Sequence, residues 1–306
     1  MLFRSVVSAL VIPRAEPATA PKVVSEIVSS LVTQSPNLAP SITGGVVATS
    51  TMAAKNETAP LDLAQKVSHG AITTAITSIN ELFANGFGGR DCPRDFHHAP
   101  VSPLPDQAIT KNFFALAASN GHQQLDSGWI SSRRLAQNRA PSATAATRAA
   151  AIAATCVSIA ATRGSEKAAN AIAGTVVGAA ISAMPSQAKL LAATAINSAA
   201  NADARPSIAQ SVVSSVASSA LINAAYAAIA SGADRQAAEK AAAEVAATIS
   251  EAAANSKFAA AVAAATAPQA IQQATTQAQN SHDRGETPNT NGSTGAGEPE
   301  IGRAHV

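Results

Sequence analysis

The sequence predicts an all-α protein, an antiparallel stack, solenoid or bundle of short Ala-rich helices, and three observations predict it. Helix breakers recur at nearly equal intervals: Gly164, Pro185 and Pro206 stand 21 residues apart, and Pro21, Pro40 and Pro60 stand 19 and 20 apart. A fixed period of this kind is the signature of stacked helices. Between the breakers, apolar residues recur at helical spacing, and no stretch alternates with the period of a strand. Composition agrees, because Ala is the strongest helix former.

A unit of about twenty residues accommodates one helix of roughly fourteen and a short turn. Proline at a first turn gives up no needed N–H, so Pro21, Pro40, Pro60, Pro185 and Pro206 mark starts rather than interruptions. Ser165, Ser186 and Asp234 are expected N-caps, and Ser207 with Gln210 has the spacing of a capping box. On the helix from Pro206, the row Ile208, Val212, Val216 and Ala220 faces inward, with Val213, Ala217 and Leu221 beside it. Ser211, Ser214, Ser215, Ser218 and Ser219 are expected on the opposite, solvated side. One unit earlier, Ile172, Val176 and Ala180 repeat the apolar row. Gly174 and Gly178, four apart, form a flat strip against which a neighbouring backbone can approach.

Aromatic residues make up 3% and charged residues 13% of the 306, against a usual charged share of about a quarter. A core of Ala and Val buries little area per side chain, so close helix packing supplies what bulk does not. The net charge of +2 selects no class of partner. Two cysteines, Cys92 and Cys156, make no disulfide framework.

Taken in order, residues 1–5 and 300–306 are set apart from the fold. MLFRS resembles the translated tail of a common short-read sequencing adapter, and EIGRAHV resembles the opening of the complementary one. The expectation is a fragment reading frame, which removes the signal-peptide reading of Val6 to Ile12. Residues 6–83 form a first helical block, carried by Val24, Val28, Ile27 and Leu31 and then by Ile72, Ile76, Ile79 and Phe83. Residues 84–141 break the pattern with Asn85-Gly86-Phe87-Gly88-Gly89 and the closely spaced Pro93, Pro100, Pro103 and Pro105, as a linker, an insertion or a frameshifted stretch. Within it, Asp106 caps one candidate helix bearing Ile109, Phe113, Phe114 and Leu116. Residues 142–279 return to Ala-rich helices, and 280–299 read as a disordered tail.

Candidate chemistry is sparse. Asp91, Cys92, Asp95, His97, His98 and His122 are the densest ligand-type set in the stretch 91–122, yet they supply only part of a zinc site. Gly86, Gly88 and Gly89 follow no strand and precede no Gly-Lys-Ser/Thr, so they make no phosphate loop. The serines lack a nucleophile elbow, and no paired carboxylates stand in an apolar setting. Arg133, Arg134, Arg139, Arg148 and Arg163 form an acid-free basic stripe, but Trp129 alone is placed for stacking. Asn56-Glu57-Thr58 and Asn291-Gly292-Ser293 fit a glycosylation acceptor, a triplet common by chance. Residues 168–188 and 206–233 carry no charge and are long enough to cross a bilayer, though both are diluted with Ser, Asn and Thr.

The units EKAANAIAGTVVGAAISAMPSQAKLLAATAINSAA and PKVVSEIVSSLVTQSPNLAPSITGGVVAT resemble the Ala-rich tandem helical repeat proteins found as uncharacterised proteins in bacterial genomes. The resemblance covers about two-thirds of the chain and brings no functional residues with it. Ala/Ser-rich silk proteins are a weaker likeness, since long polyalanine blocks are missing. The expected function is a non-enzymatic structural or scaffold protein with no catalytic, cofactor-binding or metal residues. Its expected partner is another protein, or a second copy, met through helix packing; no specific nucleic acid or small molecule is expected. The alternatives are a membrane-associated helical protein and a metal-binding or enzymatic protein using residues 91–122.

Overall fold

A computed structural model describes residues 19–57, 59–84 and 145–288. Among these, the elements are ten α-helices: α1 (Ala20–Gln34), α2 (Ala39–Lys55), α3 (Leu61–Leu82), α4 (Ala145–Arg163), α5 (Glu166–Ala183), α6 (Ala188–Ala200), α7 (Pro206–Ala230), α8 (Arg235–Ala253), α9 (Ala259–Ala265) and α10 (Pro268–Asp283). No strand occurs among the described residues. The all-α expectation is met.

The breakers act locally as their chemistry requires. Proline occupies the first turn of α1, α2, α7 and α10, and Pro60 is the N-cap of α3. Ser165 and Asp234 cap α5 and α8, accepting from the N–H of Ala168 at 3.4 Å and Ala237 at 2.7 Å. The other two expected caps are displaced. Ser186 lies in a 3-10 turn, Pro185–Gln187, and Ser207 lies inside α7 because Pro206 already starts that helix. The turns before α2 and α6 share one geometry. Ser35 (φ −142, ψ 70) and Met184 (φ −139, ψ 69) each precede a Pro-led 3-10 turn, and Ala39 and Ala188 then open the next helix at nearly identical angles.

Alternate helices pack side by side, which sorts them into two layers. α1, α3, α5, α7 and α10 form one row, and α2, α4, α6 and α8 the other, with α9 against α7 and α8. Neighbours within a row run parallel, as the ascending contacts of α5 with α7 show: Asn170 to Ser215, Gly174 to Ser219, Ser182 to Asn223. The hydrogen bonds that join α5 to α7 and α4 to α6 link residues 41 to 45 apart. The stacking unit is therefore a pair of helices, about twice the single-helix period, and the architecture is an α-solenoid.

α7 lies deepest. It touches α5, α6, α8, α9 and α10, so apolar residues are needed nearly all round it. This explains why one of its serine rows is not solvated as expected. Ser219 is 1% exposed and donates to the Gly174 carbonyl at 2.6 Å; Ser215 donates to the Asn170 carbonyl at 2.8 Å; Ser211 accepts from Asn170 Nδ2 at 2.7 Å. Ser214 and Ser218 are half-buried. A small hydroxyl lets two helices approach closely and still satisfies the carbonyl it covers. Gly174 and Gly178 are both buried on α5, the helix this row faces. At the α1–α3 seam the arrangement inverts: Gly70 sits opposite Ser25, where an added Cβ would stand 2.7 Å from the serine Oγ.

Large side chains are few in the core. The bulkiest fully buried ones are isoleucines and leucines such as Ile72, Ile152, Ile172, Leu191 and Leu221, and Phe258 is the one buried aromatic among the described residues. The C-terminal boundary also moves. α10 runs through residue 280 to Asp283, with Ala278 and Ser281 buried, so the polar composition from Asn280 onward does not end the fold there.

Candidate functional site

The densest ligand-type set expected from sequence, Asp91, Cys92, Asp95, His97, His98 and His122, lies outside the described residues, as do Gly86, Gly88, Gly89, Trp129, Arg133, Arg134 and Arg139. Arg148 and Arg163 are described and stand at opposite ends of α4, so they share no surface patch. Arg148 lies over the Phe83 ring at 5.4 Å, and burial lowers its pKa. Arg163 reaches the Met52 sulfur at 3.8 Å. Among the described residues, no three His, Cys, Asp or Glu side chains converge.

The titratable groups inside the fold are isolated. Cys156 is fully buried between α4 and α2, and burial pushes its thiol up to about 12 despite a hydrogen bond from Thr43. A thiol held protonated is a poor nucleophile. His69, on α3, is mostly buried, and desolvation lowers its pKa. Neither has a partner group arranged to move a proton or activate water. Lys189 and Glu244 pair at 2.5 Å across α6 and α8, and the lysine holds the Glu244 carboxyl below its ordinary range; the pair is half-exposed and ties two second-layer helices together.

Among the described residues, two helices are long and apolar enough to cross a membrane, α4 and α7, and α5 with α6 would qualify as a bent pair at 115°. Position in the stack accounts for the composition of α7, since 67% of its window is buried within the protein, against 44% for α4.

An open groove lies at the C-terminal flank. α10 packs on α7 with Ala274, Thr275, Ala278 and Ser281. Its outward side carries Gln269, Gln272, Gln273, Thr276, Gln277 and Asn280, and with Arg235 of α8 and Arg284 these residues line an open groove. No carboxylate lines it. Arg235 donates to Thr276 Oγ1 at 3.1 Å, and Arg284 pairs with Glu286 at 2.8 Å. In sequence, residues up to 279 belong to the helical block while Asn280 and Arg284 fall outside it, and this polar row is not singled out. The amides at 269, 273, 277 and 280 nonetheless carry the three-and-four spacing of one helix face.

The N-terminal flank is polar as well. α1 meets α3 through Ser25 and Ser29, the latter 3.3 Å from Ser78, while Lys22, Glu26, Ser30 and Thr33 are exposed. Among the described residues, the first and last helices of the first layer thus expose mostly polar side chains, with Val23 the large apolar one on α1. Comparison with protein-family models, with curated proteins and with solved structures finds no match for this chain.

Proposed function

We propose that this protein is a non-enzymatic scaffold that binds a protein partner on its outer helical faces. The observation that carries the reading is how the helices are used. The two-layer stack consumes the apolar faces of its helices in mutual packing and places polar rows on both flanks of the first layer. A solenoid of this kind offers extended outer surfaces rather than an enclosed pocket, and surfaces of that shape serve recognition. The isolation of Cys156 and His69 among the described groups is consistent with it.

Site-specific photo-crosslinking tests the proposal. A crosslinking amino acid is placed at exposed Ala151 of α4 and Ala247 of α8, both on the second layer, and at exposed Gln273 of α10. In extract of the source cells, a discrete adduct from at least one position is expected, suppressed by excess unlabelled chain. Adducts that the unlabelled chain does not compete, or flotation of the purified protein with phospholipid vesicles, would overturn it.

A further inference from the structure

We propose that the groove on the outward side of α10 binds an extended, carboxylate-bearing peptide segment, through its main chain on the amide row and through its carboxylates on Arg235. The inference rests on the scaffold reading and names the chemistry of one partner surface. Three observations carry it.

The first is unspent hydrogen-bonding capacity. Among the described residues, the side chains of Gln269, Gln272, Gln273 and Asn280 have no hydrogen-bond partner, and all line the groove. Each carboxamide donates and accepts, the complement of a peptide unit. The second is spacing. Residues four apart on a helix are separated by about 6 Å along its axis, close to the roughly 6.6 to 6.8 Å that two residues span in an extended chain. The amides of Gln269, Gln273 and Asn280 stand about 6 Å and about 10.5 Å apart along α10, near the spans of two and of three extended residues, over a stretch of about 16 Å, with side-chain freedom absorbing the small mismatch. The third is charge. The lining holds two arginines and no carboxylate. Arg284 is shared with Glu286, so Arg235, whose single partner here is the Thr276 hydroxyl, is the available cation. A helix is a poor occupant, because the exposed side of α10 has no apolar row to bury.

The probe is a fluorescein-labelled eight-residue peptide of alternating Ser and Glu, followed by anisotropy on the full chain, with a Ser-Lys peptide of equal length as control. Saturable binding of the Ser-Glu peptide and none of the Ser-Lys peptide is expected. Gln269→Ala with Gln273→Ala should weaken binding at least tenfold, and Arg235→Gln should weaken it and flatten its salt dependence. The substituted side chains are exposed, and circular dichroism verifies that each variant keeps its helices. No saturable binding at millimolar protein, equal binding of both peptides, or loss with Arg235→Gln but not with the amide variant overturns the proposal; the last outcome assigns the groove to anions in general. A null result here with a competable adduct at Ala151 or Ala247 would sink the groove and leave the scaffold reading standing.

Discussion

Small residues at the helix seams set the separation of the layers, so substitutions there report on the fold most directly. Gly174→Leu with Gly178→Leu overfills the α5–α7 contact and should cost roughly 1 to 3 kcal/mol or more, read as a lower urea midpoint. Ser219→Ala removes the 2.6 Å bond to the Gly174 carbonyl, which keeps its partner within α5, for a loss of about 1 kcal/mol. Gly164 fills the two-residue turn between α4 and α5, where an added Cβ would lie 2.7 to 2.9 Å from the Ala169 N and Cα, so even Ala is excluded there. His69 gives the pH dependence. Its folded pKa is depressed by burial, so the unfolded chain binds a proton first as pH falls below about 6.5. Stability contributed at neutral pH is lost from there downward, and chemical denaturation of His69→Gln at pH 7 and pH 5 should show a smaller difference than the parent. Cys156 works in the opposite range: the unfolded thiol ionises from about 9 and the buried one at about 12, so stability falls as pH rises through that interval.

At the scale of elements, the long segment after α3 stands where the other pairs have a short turn. α1 to α2, α5 to α6 and α7 to α8 are each joined by a handful of residues, whereas α3 and α4 are separated in sequence by 83–144 and still pack together, with Arg148 on Phe83. Replacing 85–144 by a Ser-Pro-Asn-Leu connection, the turn that precedes α2, should preserve the helical signal and the unfolding midpoint of the stack. A collapse of cooperativity would show that the replaced segment is part of the fold. Trimming the C-terminus separates the two boundaries in the same way. Removal of 289–306 is expected to leave the melting temperature unchanged, whereas truncation at 280 deletes buried Ser281 and the last turn of α10 and should lower it. The sequence showed the helices because Pro, Gly and apolar spacing are local signals. It ended the last helix at 279 rather than at Asp283 because the polar residues from Asn280 onward resemble a tail in composition.

The whole molecule is a stack with polar flanks, and its association state follows. Lys22, Glu26, Ser30 and Thr33 surround the exposed Val23 at one end, and the Gln and Asn row of α10 covers the other, so little apolar surface is offered for end-to-end growth. Sedimentation velocity at tens of micromolar should give a single species at the 30.5 kDa of the chain. A concentration-dependent series of larger species would mean that units add at the flanks, and would favour self-association over a foreign partner.

The sequence by itself determined which segments are helices, where most of them start, and that Ala, Ser and Gly would have to do the packing, because propensity, capping and breaker chemistry act within one turn of chain. Only the tertiary structure decided that helices pair with the second neighbour along the chain, so that the unit is a pair. It also decided that Ser211, Ser215 and Ser219 face a neighbouring helix. Periodicity assigns a serine to a face but cannot say whether water or another backbone meets it, and in a small-residue core those two surroundings select the same residues. The amide groove arose the same way: its residues share a face by local geometry, and Arg235, 34 residues before Gln269 in sequence, joins them because α8 and α10 pack together.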